Sequence, residues 1–114
     1  MKKILIILII SFLGISVKAQ EVKKSKNAKI EFHVDGNCEM CKKRIEKAAI
    51  SVSGVKSANW DMNSGTLNLI VNEEKTTVLS VQKAIAKVGH DNDGIKATQE
   101  DYDNLHGCCI YERK

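Results

Sequence analysis

Hydrophobic and polar positions alternate early in the chain. Ile30, Phe32 and Val34 fall on one side, and Glu31, His33 and Asp35 on the other. That period of two predicts a half-buried strand. Asp35-Gly36-Asn37 is turn chemistry. From Met40 to about Ser53 the period changes: Cys41, Ile45, Ala48, Ala49 and Val52 recur at helical spacing, and Gly54 ends the run. Val55 to Met62 returns to strand, with Ala58, Trp60 and Met62 on one face. Val55 is out of phase, which predicts a bulge or a late start. Asn63-Ser64-Gly65 is a hairpin turn, and Leu67, Leu69 and Val71 then alternate with polar or outward positions. Thr76 or Thr77 caps a second helix whose buried stripe is Val78, Val81, Ala84, Ile85 and Val88. Gly89 ends it, His90 to Gly94 is a loop, and Ile95 and Ala97 predict a short last strand. Thr98 to Leu105 reads as a short terminal helix.

The order is therefore βαββαβ. It predicts an α+β, ferredoxin-like sandwich: an antiparallel four-stranded sheet with two helices on one face. Glu31 and His33 suit an outer sheet face open to water.

The first residues read differently. Lys2 and Lys3 precede an apolar stretch from Ile4 to Val17, and Val17-Lys18-Ala19 carries small residues where a signal peptidase cuts. The expected organisation is a signal peptide over 1–19, a flexible polar leader over 20–28, one domain over 29–98 and a C-terminal extension over 99–114. The apolar stretch is short of the ~20 residues a membrane-spanning helix needs, so no stable membrane insertion is expected after cleavage. Losing Lys2, Lys3 and Lys18 takes three charges from the formal +4 and leaves +1. With two Phe, two Tyr and one Trp and no strong basic charge, nucleic acid is not the expected partner. Export, with the bacterial periplasm as the expected location, puts Cys38, Cys41, Cys108 and Cys109 where disulfides can form and persist.

Candidate chemistry centres on Cys38-Glu39-Met40-Cys41, between the first strand and the first helix. Backbone N–H groups and the dipole at a helix N-terminus favour thiolate. Two thiolates at this spacing either share one soft ion or close into a redox disulfide. Thiolates select Cu(I), Ag(I), Hg(II) or Zn(II) over Mg or Ca, and an open two-thiolate site suits an ion that is handed on. A purely structural disulfide would close too small a loop to constrain the unfolded chain. Thioredoxin-like proteins place Cys-x-x-Cys similarly, but that resemblance includes a cis-proline, and this chain has no proline.

The predicted topology brings the His90 to Gly94 loop and the Met62 to Gly65 hairpin to the same end as Cys38 and Cys41. His90 is thus a candidate third ligand. His33 reads as a surface residue and Met40 as a core cover. Lys42, Lys43 and Arg44 would offset thiolate charge, dock an acidic partner or simply form a solvated helix face. The topology does not bring Cys108 and Cys109 there, since the tail would have to climb back along the domain. They remain candidate metal ligands in three ways: completing a site with Cys38 and Cys41, forming a disulfide with that loop, or making a second site with His106. Ile110 and Tyr111 suggest that the tail packs.

A Gly-x-Cys-x-x-Cys loop between strand one and helix one of a βαββαβ chain resembles the heavy-metal-associated domain family. The resemblance covers roughly Lys29 to Thr98 and includes Gly54-Val55 after the first helix and Lys87-x-Gly89 after the second. It departs from the family pattern where Gly36 replaces the usual Met before the first Cys, and where His90 stands at a position often aromatic. The resemblance implies a non-enzymatic, exported Cu(I) chaperone or buffer, with a metal-transport or efflux protein as donor or acceptor. A periplasmic mercuric-ion-binding scavenger is the first alternative. A thiol–disulfide exchange protein, and a partner-docking domain whose cysteines are merely oxidised, are the others.

Overall fold

The computed structural model describes residues 23–114. The expected signal peptide and the start of the leader lie outside the described residues. The order is β1 (Ala28–His33), α1 (Glu39–Ile50), β2 (Val55–Trp60), β3 (Thr66–Val71), α2 (Val78–Lys87), α3 (Gln99–Asp103) and a 3-10 turn at Gly107–Cys109. The sheet is antiparallel with β3 in the centre, in the order β1-β3-β2.

Register follows the hydrophobic pattern. Leu67 on β3 faces Phe32 on β1 and Trp60 on β2, and Leu69 faces Ile30 and Ala58. Phe32, Trp60, Leu67, Leu69 and Val71 are buried on that face. The pairing shifts between Val55 and Ser57, the bulge that the phase of Val55 predicts. Strand β2 ends at Trp60, so Met62 is exposed rather than sharing the Trp60 face. The hairpin turn takes over there, with Gly65 donating to Asp61 and Asp61 to Thr66.

Both helices lie over the same core. Helix α1 buries Cys41, Ile45, Ala48 and Ala49, and α2 buries Val81, Gln82, Ile85 and Ala86. Thr77 caps α2 by accepting from the Ser80 N–H. Burying an aliphatic side chain of this size contributes about 1.5–3 kcal/mol, so the two stripes fix how the helices sit. No helix among the described residues is long and apolar enough to cross a membrane.

The expected fourth strand is not formed, and among the described residues the sheet has three strands. In its place Asn92 makes a single antiparallel bridge with Val34. Residues 91–93 bond along the end of β1: Asp35 N–H to Asp91 O at 2.8 Å, Asp93 N–H to His33 O at 3.1 Å, and His33 N–H to the Asp93 carboxylate at 2.9 Å. The chain then leaves the sheet. Ala97 N–H goes to the Asp91 carboxylate at 2.8 Å, and Ile95 O accepts from Asn92 N–H within its own turn. Hydrogen bonds that would have formed a ladder are spent locally on Asp91 and Asn92. In the leader, Ser25 exchanges hydrogen bonds with Glu73, so this part of it is tethered.

Candidate metal centre

The site forms where three loops converge beyond the ends of the strands. Val34 N–H donates to Gly65 O at 2.8 Å, and the Trp60 indole N–H lies 3.1 Å from both Val34 O and Gly65 O. His90 Nδ1 lies 2.7 Å from Asp35 O. The strand-one exit, the hairpin and the loop after α2 thus form one end of the molecule, as the topology predicts. Gly89 makes the turn into His90 with φ +101, a region that favours glycine. Gly36 sits in a tight space: a Cβ there would lie 3.1 Å from both the Cys41 Cβ and the Trp60 ring, so a larger residue would need its neighbours to give by a few tenths of an ångström. The Trp60 ring and Cys41 fill the room beside the backbone there.

Cys38 is the N-cap of α1, in extended conformation and half-buried, while Cys41 is fully buried one turn on. Their sulfurs are 3.2 Å apart. Cys41 Sγ also lies 3.4 Å from the Asn37 side-chain oxygen. The C-terminal extension does climb back. Cys109 Sγ lies 3.2 Å from Cys38 Sγ, and Cys108 Sγ lies 3.7 Å from it. The sulfurs of Cys38, Cys108 and Cys109 all fall within 4.8 Å of one another, an arrangement able to hold a metal ion. Cys108, which is exposed, also lies 3.4 Å from the Met40 sulfur. Met40 is 45% exposed and does not cover the core. All four cysteines are free thiols.

Polar anchors hold the tail in place. Tyr111 is buried; its hydroxyl donates to Gly89 O and accepts from Asp91 N–H, both at 2.8 Å. Its ring stacks on His90 at 5.7 Å. Arg113 grips both Asp91 carboxylate oxygens, at 2.8 and 2.9 Å, and reaches Ala97 O at 2.7 Å. Tyr102 donates its hydroxyl to Tyr111 O, and its ring lies under the Arg113 guanidinium. At the thiol end, the Asn37 amide donates to Ile110 O at 3.0 Å. Ile110 itself is exposed, so of the apolar pair Tyr111 does the packing.

The electrostatics separate the thiols. Burial pushes the Cys38 thiol up, but hydrogen bonds involving Cys109, Cys41 and Cys108 outweigh it and bring it down to about 7. Burial pushes Cys109 up, and hydrogen bonding to Cys41 and Cys38 adds to this, while the Arg44 guanidinium beside it acts the other way. Cys38 is therefore closer to ionising at neutral pH than Cys109.

His90 is fully buried and does not join the metal-competent thiol cluster among the described residues. A carbonyl only accepts, so the contact with Asp35 O makes Nδ1 the donor and leaves Nε2 a bare lone pair. Nε2 is buried without a partner, as is Arg44 Nη1. Burial lowers the His90 pKa and keeps the ring neutral. His33 is part-exposed and pairs with Asp35 at 2.9 Å, as a surface residue would. His106 is exposed and outside the cluster. Lys42 is committed to Glu46, Asn59 and Trp60 O, which leaves Lys43 and Arg44 as the basic residues nearest the thiols on α1. Sequence reasoning missed Asp91 and Arg113. Their types and distance apart carry no signal until the tail is seen to return.

Residues 31–91, more than half of the 114, match the family model described as Heavy-metal-associated domain. The chain is similar to the solved CopZ metallochaperone, with 27% identity and a TM-score of 0.56 over 57% of this chain and 98% of that one. It is similar at 26% identity and a TM-score of 0.55 to the N-terminal domain of a potential copper-translocating P-type ATPase from Bacillus subtilis in the Cu(I)-loaded state. That match covers 63% of this chain and 99% of that one. Oxidized MerP from Ralstonia metallidurans CH34 shares the fold, with 24% identity and a TM-score of 0.56 over 59% of this chain and 94% of that one. No curated protein matches the chain.

Proposed function

The chain belongs to the heavy-metal-associated domain family, and from that premise we propose that it is an exported, non-enzymatic carrier of Cu(I) that binds the ion through Cys38 and Cys41. The observation that carries this reading is the pair of sulfurs 3.2 Å apart at the N-terminus of a 12-residue helix. One of them is half-buried, with its thiol lowered to about 7. Thiolate is the soft donor that Cu(I) prefers, and a metallochaperone and a Cu(I)-loaded domain are among the similar structures. Export rests on residues 1–19, whose charged start, apolar stretch and small-residue end have the layout of a signal peptide.

The partner would be a metal-transport or efflux protein whose own thiols enter as the carrier's let go. A groove of about 520 Å³ beside the loop gives it a place to dock. Lys43, Arg44 and Lys47 make one part of the groove basic, and Met40, Ala48 and Val88 make the rest apolar. An acidic surface with an apolar centre is its complement.

The test is a titration of the reduced protein with Cu(I) against a competing chelator. One tightly bound equivalent, lost in Cys38→Ser with Cys41→Ser, is the expected result. No binding, or binding indifferent to that double change, would sink the carrier. Thiol–disulfide exchange is the second reading, favoured by the low Cys38 thiol with two other sulfurs at 3.2 Å. Reduction of a disulfide substrate at the expense of a dithiol donor would select it.

A further inference from the structure

We propose that the C-terminal tail is a ligand-bearing latch: Cys109 joins Cys38 and Cys41 as the third sulfur on one soft ion, and the tail must lift before the ion leaves. The inference rests on the soft-metal reading above and adds the ligand set and its control.

Three observations carry it. First, Cys38 stands midway in the cluster, 3.2 Å from Cys41 on one side and 3.2 Å from Cys109 on the other. A metal–sulfur bond of roughly 2.3 Å allows ligating sulfurs to lie up to roughly 4.6 Å apart. The Cys38–Cys41 and Cys38–Cys109 separations meet this, whereas Cys41 lies outside the group of Cys38, Cys108 and Cys109 whose sulfurs are all within 4.8 Å of one another, so Cys41 and Cys109 must close on the ion from either side of Cys38. Cys109 is the better third donor than Cys108. It is closer to Cys38, fully buried, and fixed by its own N–H to His106 O at 2.8 Å. Cys108 is exposed and lies against the Met40 sulfur.

Second, beside the burial of Leu105, Cys109 and Tyr111, the tail is held by a set of directional hydrogen bonds and an ion pair. Its anchors are Tyr111 on Gly89 and Asp91, Arg113 on Asp91, and Asn37 on Ile110. Such contacts can be exchanged for water one by one. Third, Arg44 lies beside Cys109 with one buried guanidinium nitrogen unpartnered. A third thiolate would add negative charge beside this half-buried cation.

A tethered third ligand is present at high effective concentration, so it returns faster than a free thiol arrives. That makes the protein a retaining buffer until a partner displaces the tail. In the transfer step a partner thiolate forms a bond to the ion as the Cys109–metal bond breaks. The ion keeps its charge and oxidation state. The incoming thiol gives up a proton, and Cys109 takes one.

The test loads the reduced full chain with one equivalent of Cu(I). Sulfur ligands are counted by X-ray absorption at the copper edge, and release to excess bicinchoninate is timed. The expected result is three sulfurs in the natural chain. Cys109→Ser should show two sulfurs and release about a hundredfold faster. Tyr111→Phe keeps every cysteine but removes the hydroxyl tether. It should keep three sulfurs and release about tenfold faster, the equivalent of one good hydrogen bond. Two sulfurs in the natural chain, or release unchanged in both Cys109→Ser and Tyr111→Phe, would overturn the latch while leaving the Cys38–Cys41 carrier standing. Failure of the natural chain to bind Cu(I) would overturn both.

Discussion

The two cysteine pairs meet sulfur to sulfur yet are positioned by different means. Cys38 and Cys41 are one helical turn apart, and α1 sets their spacing wherever α1 forms. Cys108 and Cys109 arrive from the far end of the chain, and their position depends on Tyr111 and Arg113 gripping the loop after α2. Each pair puts one cysteine into the core, Cys41 beside Ile45, Trp60 and Leu67 and Cys109 beside Tyr111 and Leu105, but only the first pair belongs to the sheet-and-helix frame that builds that core. The second is docked onto it. A site built this way has a fixed half and a removable half. Local geometry gives binding, and a long-range tether gives control.

The sharpest way to break that comparison is to remove each pair in turn. Cys38→Ser with Cys41→Ser should abolish Cu(I) binding altogether. Cys108→Ser with Cys109→Ser should weaken it about a hundredfold. Competition titrations measure both, and the reverse order would make the tail the principal site.

Stability should show the same asymmetry. Trp60 is fully buried and ties two loops together through its indole N–H. Trp60→Ala should cost about 3–5 kcal/mol in urea unfolding. Arg113→Ala removes a partly exposed cation from a buried Asp91 carboxylate, and should cost only about 1–2 kcal/mol. Nitrogen-15 exchange spectra would place that change in the tail and the 89–97 loop, with the α1 signals unmoved.

Acid should undo the removable half. Although burial pushes Asp91 up, its hydrogen bonds to Arg113 and Ala97 outweigh this and hold its pKa below the usual 3.8. A depressed carboxylate contributes stability that is complete above the ordinary value and is lost as pH falls through the folded one. Tail anchoring should therefore be constant down to about pH 4 and weaken below it. The Tyr111 ring signals report this directly, and insensitivity to acid would contradict the role given to Asp91.

The smallest expected effect is on reactivity. Cys38 should alkylate with a half-maximal rate near pH 7. It should react ahead of Cys109, whose thiol burial pushes up, because the thiolate is the nucleophile. Peptide mapping after limited iodoacetamide treatment would check the order.

The elements were legible in proportion to how local their causes are. The alternation of Ile30, Phe32 and Val34, the helical stripe from Cys41 to Ala49 and the phase slip at Val55 each reappear in the structure as read. Ile95 and Ala97 have the pattern of strand residues yet form no strand. Their fate depends on Asp91 and Asn92 taking up the nearby backbone groups, with Asp91 held in turn by Arg113. His90 was placed at the correct end by topology alone. Its burial under Tyr111, with Nδ1 turned to Asp35, needed the packed tail to be known.

By itself, the sequence determined the Cys38–Cys41 pair, its seat at a helix start and the loops that share its end of the molecule. Helical spacing and strand order are short-range or topological facts that residue patterns encode. Only the tertiary structure decided that Cys108 and Cys109 belong to the same place. Their return depends on a hydroxyl, a carboxylate and a guanidinium meeting across the fold, and such directional contacts leave no period in the chain to be read.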